Sequence, residues 1–142
     1  MGDLWEAVRQ SSLGKRFIIL EFRNEIADFL SAMDIFVQPS ILPDPFPNTV
    51  LEAMAAGLPI VASAHGGVKE MLEDEVSGCL VPPNQVTEMA ERILALADNP
   101  ELRKNLGFRA RERVNNHFHV DRYRMNIDRL YSETVETKGG AD

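Results

Sequence analysis

Cysteine is nearly absent from this sequence: Cys79 is the single one among 142 residues. A lone thiol makes no internal disulfide and no multi-cysteine metal site, so the fold has to stand on packing, and a reducing compartment is the default. Long apolar runs are missing too, and nothing approaches the roughly 20 residues of a membrane-spanning helix. The opening MGDLWEAVRQ holds two acidic residues and no apolar signal core, so it does not read as an export signal. A cytoplasmic location is therefore expected. Two full-sized domains are excluded by length, since 142 residues fit one ordinary domain. With 44% hydrophobic and 26% charged residues, the composition is that of a globular protein able to bury a core.

Positive charge is scarce before residue 100, with 6 basic against 15 acidic side chains. Residues 101 to 131 reverse the balance with 8 basic and 4 acidic ones, although the net charge of the whole is −7. Arg103, Lys104, Arg109, Arg111, Arg113, Arg122, Arg124 and Arg129 are the kind of side chains that meet phosphates or an anionic membrane face. They are interleaved with apolar residues at helical spacing, and no run of stacking aromatics stands beside them. A solvated helix face is the first reading, peripheral membrane contact the alternative, and no nucleic-acid partner is expected.

Short apolar runs of strand length, Phe17–Leu20, Ile35–Val37, Ile60–Ala62 and Cys79–Val81, alternate with helical segments through residue 83. Helices are predicted over 3–13, over 25–33 with Asn24 as its cap, over about 49–56 closed by Gly57, and over about 67–74. After Pro82-Pro83 the pattern is helical only. Val86, Met89, Ala90, Ile93, Leu94 and Ala97 form one face, and Asn99-Pro100 marks a stop before a restart near Glu101. A last helix over about 120–134 shows Tyr123, Ile127, Leu130 and Tyr131, and residues 136–142 read as a frayed tail. The fold class is α/β, a partial doubly wound parallel sheet with C-terminal helices. Residues 1–142 form a single partial domain, 1–83 carrying the sheet and 84–135 the helices. Strands upstream of residue 1 are expected to complete it.

The chemistry is concentrated in QPSILPDPFPNTVLEAMAAGLPIVASAHGG, Gln38 to Gly67, which leaves a strand's C-terminal end, crosses a proline-dense loop and opens a helix. Ligands of open α/β sheets bind there, and free N–H groups near Thr49 suit a phosphate or sugar hydroxyls. Here the chain resembles the C-terminal, nucleotide-sugar-binding domain of retaining glycosyltransferases of the GT-B fold, in particular family 4. The resemblance rests on Asp34, Phe36-Val37, Pro39-Ser40, Asp44, Phe46, Glu52-Ala53-Met54-Ala55, Gly57, Pro59, Val61-Ala62, Gly66-Gly67, Glu70, Gly78 and Leu80-Val81-Pro82-Pro83. It continues into Asn99-Pro100, Leu102-Arg103 and Ala110-Arg111.

The resemblance implies a nucleoside diphosphate sugar as ligand and a separate N-terminal acceptor-binding domain as partner. Glu52 would accept from the ribose hydroxyls, with Thr49 and Val50 beside it at the nucleotide. Asp44 would face the donor sugar, with Phe46, Pro47 and Asn48 beside it, and backbone N–H groups around Phe46 to Val50 would hold sugar and distal phosphate, Pro47 offering none. Asp44 is one methylene shorter than the family's usual Glu, and Pro47 and Glu21 stand where the family often has Gly. The family's diphosphate-binding Arg and Lys have no counterpart here. No catalytic side chain, metal or cofactor is assigned.

Plainer readings compete. Thr49-x-x-Glu52 fits a helix-capping box, and Asp44 between prolines fits a turn. His65 reads as a loop residue rather than a base, Glu70 as structural, and Met33, Met54, Met71 and Met89 as core. His117 and His119 read as surface residues. The reading from another class is a non-catalytic module that binds a nucleotide or a partner chain, and a homo-oligomer is compatible with either.

Overall fold

The structure is a computed structural model that describes residues 2–12 and 14–138. Its centre is a three-stranded parallel sheet in the order β1 (Phe36–Gln38), β2 (Ile60–Ser63), β3 (Cys79–Val81). Phe36 lies opposite Ile60, and Val61 opposite Cys79. Around it stand α1 (Gly2–Gln10), α2 (Ile26–Ser31), α3 (Asn48–Ala56), α4 (Val68–Met71), α5 (Val86–Asp98), α6 (Pro100–His117) and α7 (Val120–Lys138).

The period-two alternation of a strand sorts β2 between two cores. Ile60 and Ala62 join Val50, Ala53 and Met54 of α3, Val68 and Met71 of α4, and Ala110 and Val114 of α6. Val61 joins Cys79, Val81, Leu96 and Leu106, with Met89 and Ile93 of α5 packed against them. All four β2 residues are buried, as a strand covered on both faces requires. Gly57, at φ 76°, ends α3 in the left-handed conformation. There the Gly57 N–H donates to Met54 O and the Leu58 N–H to Ala53 O, a Schellman pair.

Phe17–Leu20 is not a strand. It is irregular, with Phe17 54%, Ile18 83% and Leu20 48% exposed. A strand exists only as part of a ladder, and this segment pairs with no strand of the sheet; its Phe17 N–H turns back to Gly14 O instead. The predicted first helix ends at Gln10, followed by a 3-10 turn over Gly14–Arg16. Its Leu13 lies outside the described residues. The second helix is shorter than 25–33, and its N-cap is Glu25 rather than Asn24, with no side-chain cap bond. The 67–74 helix contracts to one turn, because Leu72 is extended. α6 begins at Pro100, where the Asn99 side chain accepts from the Leu102 N–H at 3.0 Å.

Met54 and Met71 are fully buried and Met89 partly so, but Met33 is exposed. Tyr123, Leu130 and Tyr131 on α7 face outward at 66%, 59% and 69% exposure. Residues 136–138 of the expected tail continue α7, and 139–142 lie outside the described residues.

Candidate functional site

The chain leaves β1 at Gln38 and reaches α3 at Asn48 through a loop holding four of its eight prolines. Each proline removes a backbone donor and fixes φ, so the loop is stiff and poor in N–H groups. Pro47 is buried as the N-cap of α3, with extended backbone and no side-chain cap bond. Thr49 therefore sits inside the helix, and the capping box that competed with a ligand role for Glu52 does not form.

Asp44 shapes the loop from within. Its Oδ1 accepts the Phe46 N–H at 2.9 Å, the Asx turn of a short polar side chain, and its carbonyl accepts the Gly67 N–H at 2.9 Å. A Cβ on Gly66 or Gly67 would overlap the backbone of Asp44 or Pro45, so only glycine lets the β2–α4 turn press so closely on the loop. The Phe46 ring packs on Phe118 at the end of α6, with centroids 5.7 Å apart.

Over residues 46–50, Phe46 gives its N–H to Asp44, Val50 gives its own to Pro47 O, and Pro47 has none. The N–H groups of Asn48 and Thr49 have no partner among the described residues and point from the first turn of a nine-residue helix. Val50 is fully buried in the core, which fixes that turn.

Glu52 lies on the same helix, exposed, with no hydrogen-bond or ion-pair partner among the described residues. Together with Thr49 it walls a groove of about 660 Å³ whose other side includes Leu20, Glu21, Phe22, Arg23, Ile26 and Phe29, so Glu21 puts a second carboxylate there. A carboxylate beside a mostly apolar groove can take a diol and a ring, and free N–H groups at a helix start suit an anion. The structure thus brings Thr49 and Glu52 together and directs the Asp44 oxygen Oδ1 into its own loop. Glu70 is exposed in α4, and its carbonyl accepts from Arg113.

The profile described as "Glycosyl transferases group 1" matches residues 4–113. The chain belongs to this family. Among its relatives, the trehalose synthase of Pyrococcus horikoshii is 38% identical over 104 residues, 70% of this chain and 24% of that protein. Among solved structures, Anabaena HepE in complex with UDP superposes with a TM-score of 0.84 at 27% identity, covering 96% of this chain and 36% of that one. The sucrose-phosphate synthase of Thermosynechococcus elongatus gives 0.85 at 30% identity, covering 96% and 34%. The chain thus spans a quarter to about a third of the length of these relatives. Its fold is that of part of a GT-B glycosyltransferase, and the apolar runs that the sequence marked at 35–37, 60–62 and 79–81 fall on the strands of its group 1 sheet, at 36–38, 60–63 and 79–81.

Sequence reasoning missed two arginines of this group 1 domain. Arg113 on α6 donates to Met71 O and Glu70 O and pairs with Glu73, holding the end of α4. Arg103 donates to Leu96 O and Ala97 O at the end of α5. The basic face was visible, but its targets were not, because they lie up to 43 residues away in the chain.

Proposed function

We propose that this chain is the donor-binding part of a retaining glycosyltransferase of family 4 that takes a nucleoside diphosphate sugar. In this reading Glu52 accepts the two ribose hydroxyls, a vicinal diol matching a bidentate acceptor. The Asn48 and Thr49 N–H groups meet the distal phosphate at the positive end of α3, and the free oxygen of Asp44 faces the sugar. The groove beside Glu52 is wide enough for a base. Departure of the diphosphate leaves an oxocarbenium-like sugar, so the contribution of these groups is to orient the sugar and stabilise the leaving phosphates. The acceptor would be held elsewhere in a longer polypeptide, and a cytoplasmic location belongs to the same proposal.

The observation that carries this reading is Glu52 itself: an exposed carboxylate in the second turn of α3, without a protein partner among the described residues, facing a groove it shares with Thr49 and with Phe36 at the start of β1. UDP and UDP-glucose occupy HepE, the structural relative named above, which supports the same ligand class. Calorimetric titration with UDP, GDP and ADP, in the polypeptide that carries this chain, tests it. Glu52→Gln is expected to weaken the tightest of the three by about 1–3 kcal/mol, and an unchanged affinity would sink the ribose assignment. Retention is tested separately by the anomeric configuration of the product.

A further inference from the structure

We propose that His65 is the positioning residue of the donor loop, acting on the sugar end of the site through Ser40. The inference rests on the reading of the loop just given. His65 stands in the β2–α4 turn, and its Nε2 lies 2.6 Å from the Ser40 carbonyl. A carbonyl only accepts, so Nε2 carries the hydrogen and Nδ1 is left with a bare lone pair. That Nδ1 is buried and has no partner among the described residues. A surface-loop histidine ordinarily avoids such a cost by rotating into water. This one is kept in place by its bond to Ser40.

What the bond holds follows from the loop. The Ser40 hydroxyl accepts from Gln38 Nε2 at 2.9 Å, so Ser40 is tied to β1 through its side chain and to the β2–α4 turn through its carbonyl. Four residues on, Asp44 O accepts the Gly67 N–H from that same turn. Between the two ties the chain arches outward, with Ile41 67% and Leu42 80% exposed. The arch therefore has two feet, one pinned by a side chain and the other by a backbone amide. Freeing the first leaves the arch held only at Asp44, so residues 40–44 can pivot about that foot and turn the Asp44 side chain, while Asn48, Thr49 and Glu52 stay fixed by the burial of Val50. His65 thus sets where the sugar-facing carboxylate stands relative to the phosphate-facing amides.

The two halves of the ligand separate this role from a merely structural one. Dissociation constants are measured for UDP and UDP-glucose, GDP and GDP-mannose, and ADP and ADP-glucose, with the unsubstituted polypeptide, His65→Ala and His65→Gln, alongside hydrogen exchange of residues 39–48 and thermal midpoints. His65→Ala is expected to weaken the preferred nucleotide sugar about tenfold, to leave its nucleoside diphosphate within about threefold, and to speed exchange over 39–44. His65→Gln, which still offers an N–H at similar reach, is expected to restore both. Equal losses for diphosphate and nucleotide sugar, an unchanged nucleotide-sugar affinity in His65→Ala, or a glutamine no better than alanine would each overturn the assignment. If the unsubstituted polypeptide binds none of the six, the donor-site reading falls first and this one with it.

Discussion

Asp44 and Glu52 use their oxygens differently, and the difference is measurable. One Asp44 oxygen holds the turn by accepting the Phe46 N–H, an interaction that asparagine preserves and alanine removes. Asp44→Asn should unfold in urea at the midpoint of the unsubstituted chain, and Asp44→Ala should lose about 1 kcal/mol. Glu52 accepts nothing from the protein, so Glu52→Ala should change stability by less than about 0.5 kcal/mol even where it weakens a nucleotide. A loss near 1 kcal/mol would return Glu52 to a capping role. Cys79 makes a third statement at this scale. Burial of its side chain raises the thiol above its ordinary 9.0, Arg92 opposes the rise, and Asp74 and Glu75 add to it. The unfolded chain then releases its proton near pH 9.0 while the folded one retains it, so the folded state binds more protons and stability falls as pH rises above that value. Urea midpoints at pH 7, 9 and 10 should decline more steeply for the unsubstituted chain than for Cys79→Ala.

Helices and strands were legible where their periodicity is self-contained. The runs at 35–37, 60–62 and 79–81 stood out because parallel strands are apolar throughout, and α5 because its apolar face repeats over thirteen residues. Phe17–Leu20 has the same composition and fails, because composition states that a segment suits a ladder and not that a ladder is present. The Glu52 motif was legible through its neighbours, whereas the ties of His65 to Ser40 and of Arg113 to α4 join residues 25 and 42 apart and leave no local pattern. Packing between elements also reverses a propensity rule. Glycine to alanine inside a helix ordinarily stabilises by about 1 kcal/mol. Gly107 lies in α6 with the Gly57 carbonyl at the end of α3 so close that a Cβ would overlap it. Gly107→Ala should instead destabilise by about 1–3 kcal/mol, read as a lower urea midpoint. Arg113→Ala, which leaves the Met71 and Glu70 carbonyls without their donor, should cost a similar amount.

At the scale of the whole molecule the sheet has two open edges. β2 lies between β1 and β3, and neither β1 nor β3 has a strand on its outer side among the described residues; the β1 edge is the one beside the donor loop. The Phe36 N–H points to Pro59 O on the β2 side, so the alternation of a strand turns the Val37 N–H and carbonyl outward. Next to that edge an apolar groove of about 380 Å³ is lined by Val37, Pro39, Ile41, Val86, Met89 and Ile93. Parallel sheets are ordinarily covered on both faces and paired at their edges, and relatives about three times as long as this chain have further chain available for that purpose. The 142 residues on their own should therefore associate, since an unpaired edge beside an apolar groove recruits another copy. Light scattering over a concentration series should show a dimer or larger species. Because Ile41 and Val86 are 67% and 78% exposed, replacing both with lysine should leave the fold intact and shift the population toward monomer by placing charge in the contact. A chain that stays monomeric at high concentration would mean that the open edge is blunted by its own shortness, three residues in β1, and that pairing there needs a longer strand than a second copy can supply.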